Sequence, residues 1–108
     1  MSRHVRKSSG NVFADLGVKD PEEALVKARL AQVISEAITA RGMTQVEAAE
    51  LLGIDQPKVS RLVRGQLAGF SIDRLFRLVT LLGSDIEITV IERSRKHRSA
   101  GHMKIALA

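Results

Sequence analysis

Residues 44–65, TQVEAAELLGIDQPKVSRLVRG, contain two short helix-forming segments separated by a glycine. The first segment begins after Thr44, which together with Glu47 three residues later fits a capping box. The second begins after Asp55, a residue type that is favoured at helix N-caps. Gly53 lies between them and permits the positive φ of a tight turn. Two short helices joined in this way are typical of a helix-turn-helix motif.

The second of these helices divides into two faces when it is projected at about 100° per residue. Val59, Leu62 and Val63 form its apolar side. The opposite side and its flank carry side chains that can contact nucleic acid: Gln56, Pro57, Lys58, Ser60, Arg61 and Arg64. In the major groove an Arg can read guanine, and a Gln can read adenine, through paired hydrogen bonds. The pattern therefore predicts a helix that lies in the major groove of double-stranded DNA.

The start of the first helix is a second candidate contact with DNA. Gln45 follows the capping residue Thr44 directly, so its side chain and the amides of the helix N-terminus can meet one backbone phosphate. Two amphipathic helices around a glycine also occur in ordinary helical bundles, which is the plainer interpretation of the same segment. The full set of residues favours DNA binding over that alternative.

The stretch 44–65 resembles the helix-turn-helix of the Cro/C1-type, or Xre, repressors. The matching residues are Thr44, Gln45, Ala49, Gly53, Gln56, Val59, Ser60, Leu62 and Gly65. The segments NVFADLG, from residue 11, and LLGSDIEITV, from residue 81, resemble HigA-type antitoxins and their stand-alone relatives. The resemblance implies a dimeric repressor, often one that regulates its own operon together with a RelE-like toxin.

By position in this family, Gln45 is expected to hold a backbone phosphate, and Gln56, Pro57 and Arg61 are expected to face bases. Pro57 departs from the polar residue that often stands there. It cannot donate a hydrogen bond to a base, although it can contact a thymine methyl group.

Around this motif the sequence predicts a mainly α-helical domain of four or five helices over residues 11–92. An arm over 11–19 is expected to dock apolar side chains on the core, namely Val12, Phe13 and Leu16. A long helix begins after Asp20 and ends before Gly42, and a last helix begins after Ser71. The apolar positions of the long helix are Leu25, Ala28, Leu30, Val33, Ile34, Ala37 and Ile38.

Residues 85–91 alternate between apolar and polar side chains and are rich in β-branched residues, which predicts a single β-strand. A lone strand leaves backbone groups unpaired on both edges. We therefore expect it to pair with the same strand of a second copy around a two-fold axis. Ile86, Ile88 and Val90 are predicted to face the core and to form this dimer interface. Pairing with residues 11–14 is the alternative.

The net charge of +5 is unevenly distributed along the chain. Residues 1–10 carry +3 and residues 93–108 carry +5, whereas residues 11–92 carry −3. Both ends are predicted to be flexible basic tails. Such tails either solubilise the termini or hold a polyanion, and composition favours neither.

Composition argues against several other classes of function. The chain has no Cys, which excludes disulfides and thiolate chemistry, and its three histidines, His4, His97 and His102, all lie in the tails. We therefore expect no enzyme, no cofactor and no metal site. The absence of Trp and Tyr disfavours single-stranded nucleic acid. No apolar run approaches the roughly 20 residues of a membrane span, and no signal peptide is evident, so a cytoplasmic location is expected.

The sequence thus predicts a homodimeric repressor of antitoxin type that binds an inverted-repeat operator in double-stranded DNA, with a RelE-like toxin as a further partner. Two alternatives stay open. One is a stand-alone, phage-like regulator, and the other is a protein-binding module that mainly neutralises a toxin.

Overall fold

The computed structural model describes residues 11–94, 96 and 99–107. Within these residues the chain forms five helices and no strand: α1 Val12–Asp15, α2 Pro21–Ala40, α3 Gln45–Leu52, α4 Gln56–Val63 and α5 Ile72–Leu81. None of these helices is long and apolar enough to cross a lipid bilayer. The predicted mainly α-helical fold is confirmed. The predicted N-terminal tail, residues 1–10, lies outside the described residues.

Local hydrogen bonds account for where α3, α4 and α5 begin, whereas the N-cap of α2, Asp20, makes no capping hydrogen bond with its side chain. Thr44 Oγ1 accepts from the Glu47 amide at 3.1 Å, and Glu47 Oε1 accepts from the Thr44 amide at 2.8 Å. The predicted capping box is therefore present, and the hydrogen bond from the Thr44 amide holds the pKa of the Glu47 carboxyl below its usual range. Asp55 and Ser71 cap α4 and α5 in the same way, each accepting from the amide three residues later.

Helix α2 is the centre of the domain and packs against α1, α4 and α5, while α3 packs against α4 and α5. Its buried side chains recur mostly every fourth residue: Val26, Leu30, Ala31, Ile34 and Ile38. The other helices and the loop before α5 complete one core with Ala48, Leu52, Val59, Leu62, Phe70, Leu75, Leu78, Val79 and Leu82. Because α3 and α4 share this core with α2 and α5, the helix-turn-helix is held as part of one rigid unit.

The N-terminal arm docks less completely than the sequence predicts. It forms the short helix α1, whose N-cap Asn11 also donates from Nδ2 to the Pro21 carbonyl at 2.8 Å. Phe13 is half-buried, but Val12 is 56% exposed and Leu16 is 73% exposed. The prediction that all three side chains dock on the core is wrong for these two, because a single helical turn can direct only part of its surface towards α2.

Residues 85–91 do not form the predicted strand within this chain. In the part of the chain that the structure describes, no second extended segment pairs with them, so the hydrogen-bonded ladder of a strand is absent. Pairing with the arm is ruled out because Val12–Asp15 is helical. Ile86 packs against the core, but Ile88 is 72% exposed and Val90 is 86% exposed. This chain therefore leaves Ile88 and Val90 uncovered, and their predicted role in a dimer interface stays a prediction.

The point at which the chain leaves α5 is fixed by α2. Arg41 Nη2, at the end of α2, donates to the Leu82 carbonyl at 2.8 Å. The next residue, Gly83, has a φ of 96°, and a Cβ there would lie 3.1 Å from Arg41 Nη2. The positive φ therefore favours glycine, and a Cβ at this position would also press on the guanidinium that holds the Leu82 carbonyl.

The C-terminal segment returns to the first turn of α2. His102 Nδ1 lies 2.5 Å from Glu22 Oε2, and the Met103 amide donates to Glu22 Oε1 at 3.1 Å. Because a carboxylate only accepts, Nδ1 carries the shared hydrogen. Ile105 is half-buried and packs against the core. The structure differs here from the flexible tail predicted over 93–108, because these contacts join its end to the domain.

Replacing Glu22 by Gln is expected to loosen this C-terminal segment. The hydrogen bonds from the Met103 amide and from His102 lower the pKa of the Glu22 carboxyl, so docking favours its ionised form. Docking is then complete above the ordinary pKa of glutamate and is lost as the pH falls through the lowered value. In an NMR titration the Met103 amide resonance should follow this ionisation in the wild type and lose that response in Glu22→Gln.

Glu23→Gln is the matched control, because Glu23 is the neighbouring residue in the same helical turn and makes no hydrogen bond to the described C-terminal residues. It should leave the titration of the Met103 amide unchanged, and trypsin should cleave after Lys104 at the wild-type rate. Equal cleavage rates after Lys104 in both variants at neutral pH would show that Glu22 does not hold the segment.

Candidate nucleic-acid interface

The turn between α3 and α4 is closed by backbone hydrogen bonds around one glycine. Gly53 has φ 69° and ψ 28°, a left-handed conformation that other residues rarely adopt. Its amide and that of Ile54 both donate to the Ala49 carbonyl, at 2.9 and 3.2 Å. Ala48 is fully buried and Ala49 is half-buried, so α3 has two small side chains on the side that packs inward.

Helix α4 has the two faces that its sequence predicts. Val59 and Leu62 are buried in the core, and Val63 is half-buried. The predicted DNA-binding side chains of α4 all lie outside the buried core: Gln56, Pro57 and Arg64 are exposed, and Lys58, Ser60 and Arg61 are half-buried. The helix is therefore held by one side while the other remains open to a ligand.

The basic side chains of α4 have no acidic partners among the described residues. Lys58, Arg61 and Arg64 form no ion pair there with a carboxylate. Arg64 Nε donates to the Ser60 carbonyl at 3.3 Å, which orients its side chain without neutralising the charge. The carboxylate of Asp55 accepts from the Lys58 amide at 2.9 Å as the helix cap. This face thus carries uncompensated positive charge, which suits an anionic partner such as a phosphate backbone.

The N-terminus of α3 offers backbone donors as well. The capping box satisfies the Glu47 amide, whereas the amides of Gln45 and Val46 have no acceptor among the described residues. These are the first two amides of an α-helix, where the helix dipole favours an anion. The first turn of α3, which begins with the half-buried Gln45 after the N-cap Thr44, therefore has backbone donors from which a phosphate oxygen can accept.

The sequence analysis missed two residues that contact Arg61 or share its partner, Phe70 and Arg74. Arg61 of α4 and Arg74 of α5 each place their Cζ atom 5.5 Å from the centroid of the Phe70 ring. Phe70 is 1% exposed and directly precedes Ser71, the N-cap of α5. An apolar residue before an N-cap often packs against the fourth helical residue, here the buried Leu75. That pattern is the signal that could have identified Phe70.

The residues predicted to form the dimer interface lie outside the helix-turn-helix of α3 and α4. Ile86, Ile88 and Val90 follow α5 and take no part in the α3–α4 motif. Among residues 11–94, 96 and 99–107, no group of three or more His, Cys, Asp or Glu side chains is arranged to hold a metal ion.

Comparisons with known proteins agree with this geometry. A family model described as a helix-turn-helix domain matches residues 12–91, which include all five helices. The chain is also similar to a solved structure described as an XRE-family transcriptional regulator, with 40% sequence identity and a TM-score of 0.71. That match covers 83% of this chain and 100% of the other. No curated protein matches the chain.

Proposed function

This chain belongs to the Xre-type helix-turn-helix family, and we propose that it is a transcriptional repressor that binds a defined sequence of double-stranded DNA as a homodimer. The observation that carries the proposal is the open face of α4, where Lys58, Arg61 and Arg64 have no acidic partner among the described residues. A merely solvated helix face usually carries charges of both signs, whereas this one is left to an external anion.

In the proposed complex α4 lies in the major groove. Arg61 binds the O6 and N7 atoms of a guanine, and Gln56 binds the N6 and N7 atoms of an adenine. Pro57, which cannot donate a hydrogen bond, contacts a thymine methyl group. Lys58 and Arg64 neutralise phosphates on either side, and Ser60 contributes its hydroxyl. The amides at the start of α3, with Thr44 and Gln45, hold one further phosphate and set the orientation of α4.

The proposed dimer pairs residues 85–91 of two copies as antiparallel strands. The exposure of Ile88 and Val90 supports it, since this chain leaves both side chains uncovered. Pairing around a two-fold axis satisfies the backbone groups on one edge and covers these side chains. Two reading helices about 34 Å apart then require half-sites roughly one helical turn apart, arranged as an inverted repeat.

We assign the repressor an antitoxin role, in which it controls its own operon and binds a RelE-like toxin. The support is the resemblance of NVFADLG and LLGSDIEITV to HigA-type antitoxins. A RelE-like reading frame beside the gene, and a stable complex between its product and this chain, are the expected findings. Without such a frame the stand-alone, phage-like regulator is favoured. A toxin complex without any DNA binding would favour the module that mainly neutralises the toxin.

Selection from a random library of DNA duplexes tests the DNA-binding proposal directly. The full-length protein should enrich an inverted repeat whose half-sites are about one turn apart. The enriched duplex should compete far better than a scrambled duplex of the same composition. Recovery of no common motif, with equal binding to every duplex, would contradict sequence-specific recognition.

A further inference from the structure

The Phe70 ring brings together two positive charges from different helices. Arg61 comes from α4 and Arg74 comes from the first turn of α5, and both guanidinium groups lie within cation–π distance of this one ring. The ring itself is buried, so its position is fixed by the core. Both side chains are thereby ordered against the same ring at the junction of α4 and α5.

Neither Arg61 nor Arg74 forms an ion pair with a carboxylate among the described residues. The acid next to Arg74 in sequence is Asp73. Its carboxylate accepts a hydrogen bond from the Ser71 hydroxyl, which is the main cause that holds its pKa below the usual range, and the nearby charge of Arg74 lowers that pKa as well. Two arginines that contact one ring, neither of them held in an ion pair among the described residues, leave positive charge at this junction that favours an anion.

We propose that Arg74 is a DNA-backbone contact of this protein and that Phe70 is the positioning residue that holds its guanidinium against the ring that Arg61 also contacts. The inference rests on the proposed function. Arg61 reads a base from α4, and Arg74 binds the phosphate that flanks this base from α5. Because stacking on Phe70 restricts Arg74 before DNA arrives, less side-chain freedom is lost on binding.

Substituting Arg74 tests the contact. Arg74→Ala should weaken binding about tenfold, equally for the duplex enriched by selection and for its scrambled counterpart. The slope of log affinity against log salt should become shallower by about 0.9, the value for one phosphate. Arg77→Ala is the matched control, since Arg77 has the same charge one turn further along α5 and makes no contact with the ring. If both variants make the salt slope shallower by the same amount, the change is due to net charge alone and the proposal is overturned.

The positioning role of Phe70 requires a double-mutant cycle. Phe70→Leu keeps an apolar side chain in the core and removes the ring face. Binding to the scrambled duplex, which does not report on base reading, should fall about two- to fivefold when Arg74 is present. In an Arg74→Ala background the same substitution should have no effect on that duplex. An equal loss in both backgrounds would mean that Phe70 acts only through the stability of the core.

These outcomes are separable from failure of the proposed function itself. If the wild-type protein binds neither duplex, DNA binding is wrong and the inference falls with it. If the wild type binds and Arg74→Ala binds equally well with an unchanged salt slope, DNA binding stands and the assignment of Arg74 is wrong.

Discussion

An Ile88→Pro variant should sediment as a monomer and should bind the inverted-repeat duplex about 10²- to 10⁴-fold more weakly than the wild type. Proline removes an amide donor in the middle of residues 85–91 and is not tolerated inside a paired strand. The loss of affinity is large because the second half-site is then no longer bound at the high effective concentration that a dimer provides. Sedimentation velocity and a titration with labelled duplex measure the two effects.

This substitution leaves the domain itself intact, because Ile88 is 72% exposed and makes no part of the core. Circular dichroism of the variant should therefore match that of the wild type. Ile88→Val is the matched control, since it keeps the amide and a β-branched side chain, and it should remain dimeric. A dimer of wild-type affinity in Ile88→Pro would place the interface somewhere other than residues 85–91.

The second large effect is expected at the centre of α4. Arg61→Ala should cost about 1–3 kcal/mol on the selected duplex and should relax the preference at one base pair in each half-site. The reason is that a bidentate Arg–guanine contact is lost, whereas the scaffold remains, because Arg61 lies outside the buried core. Repeating the selection with the variant, and comparing the enriched sequences position by position, measures the change.

Gln45→Ala provides the contrasting variant for this prediction. Gln45 lies at the first position of α3, where it is expected to hold a phosphate rather than a base. Its removal should weaken binding to the selected and scrambled duplexes alike, with the same enriched sequence. If Arg61→Ala also weakens both duplexes equally, then Arg61 holds the backbone and the reading of guanine belongs to another residue.

The local features of the fold were predictable because they are encoded within a few residues. The capping box at Thr44, the caps at Asp55 and Ser71 and the glycine turn at Gly53 each depend on neighbours at most three or four positions away. The two faces of α4 were equally predictable, because its charged residues and its apolar residues fall on different sides of the helix. These features are sufficient to place the candidate contacts with DNA on α3 and α4.

The buried face of α2 was harder to predict. This helix carries apolar residues on more than one side, so several stripes fit the same periodicity. The structure buries Val26 and Ala31, which the sequence analysis did not select, and leaves Leu25 and Ala28 only half-buried. Which stripe faces inward is decided by the helices that pack against it, and this information is not local.

Contacts between distant parts of the chain could not be predicted at all. The alternation in residues 85–91 reports a preference for extended structure, but the described part of the chain supplies no partner strand. The hydrogen bonds from His102 and Met103 to Glu22 join residues about eighty positions apart, and no periodicity encodes them. The same holds for Arg74, which reaches Arg61 only through the shared Phe70 ring.

The hydrogen bond from Arg41 to the Leu82 carbonyl bears on two properties of the proposed repressor: the spacing of its half-sites and the bases that it prefers. It anchors the exit of the chain from α5 to the same rigid body that carries α4. In the proposed dimer the spacing between half-sites is then set at this joint, by Arg41 and Gly83, whereas the preferred bases are set on α4. Mutations of Arg41 or Gly83 can therefore change the half-site spacing that the dimer requires without changing the bases that each half-site prefers. The spacing and the base preference can then evolve independently of each other.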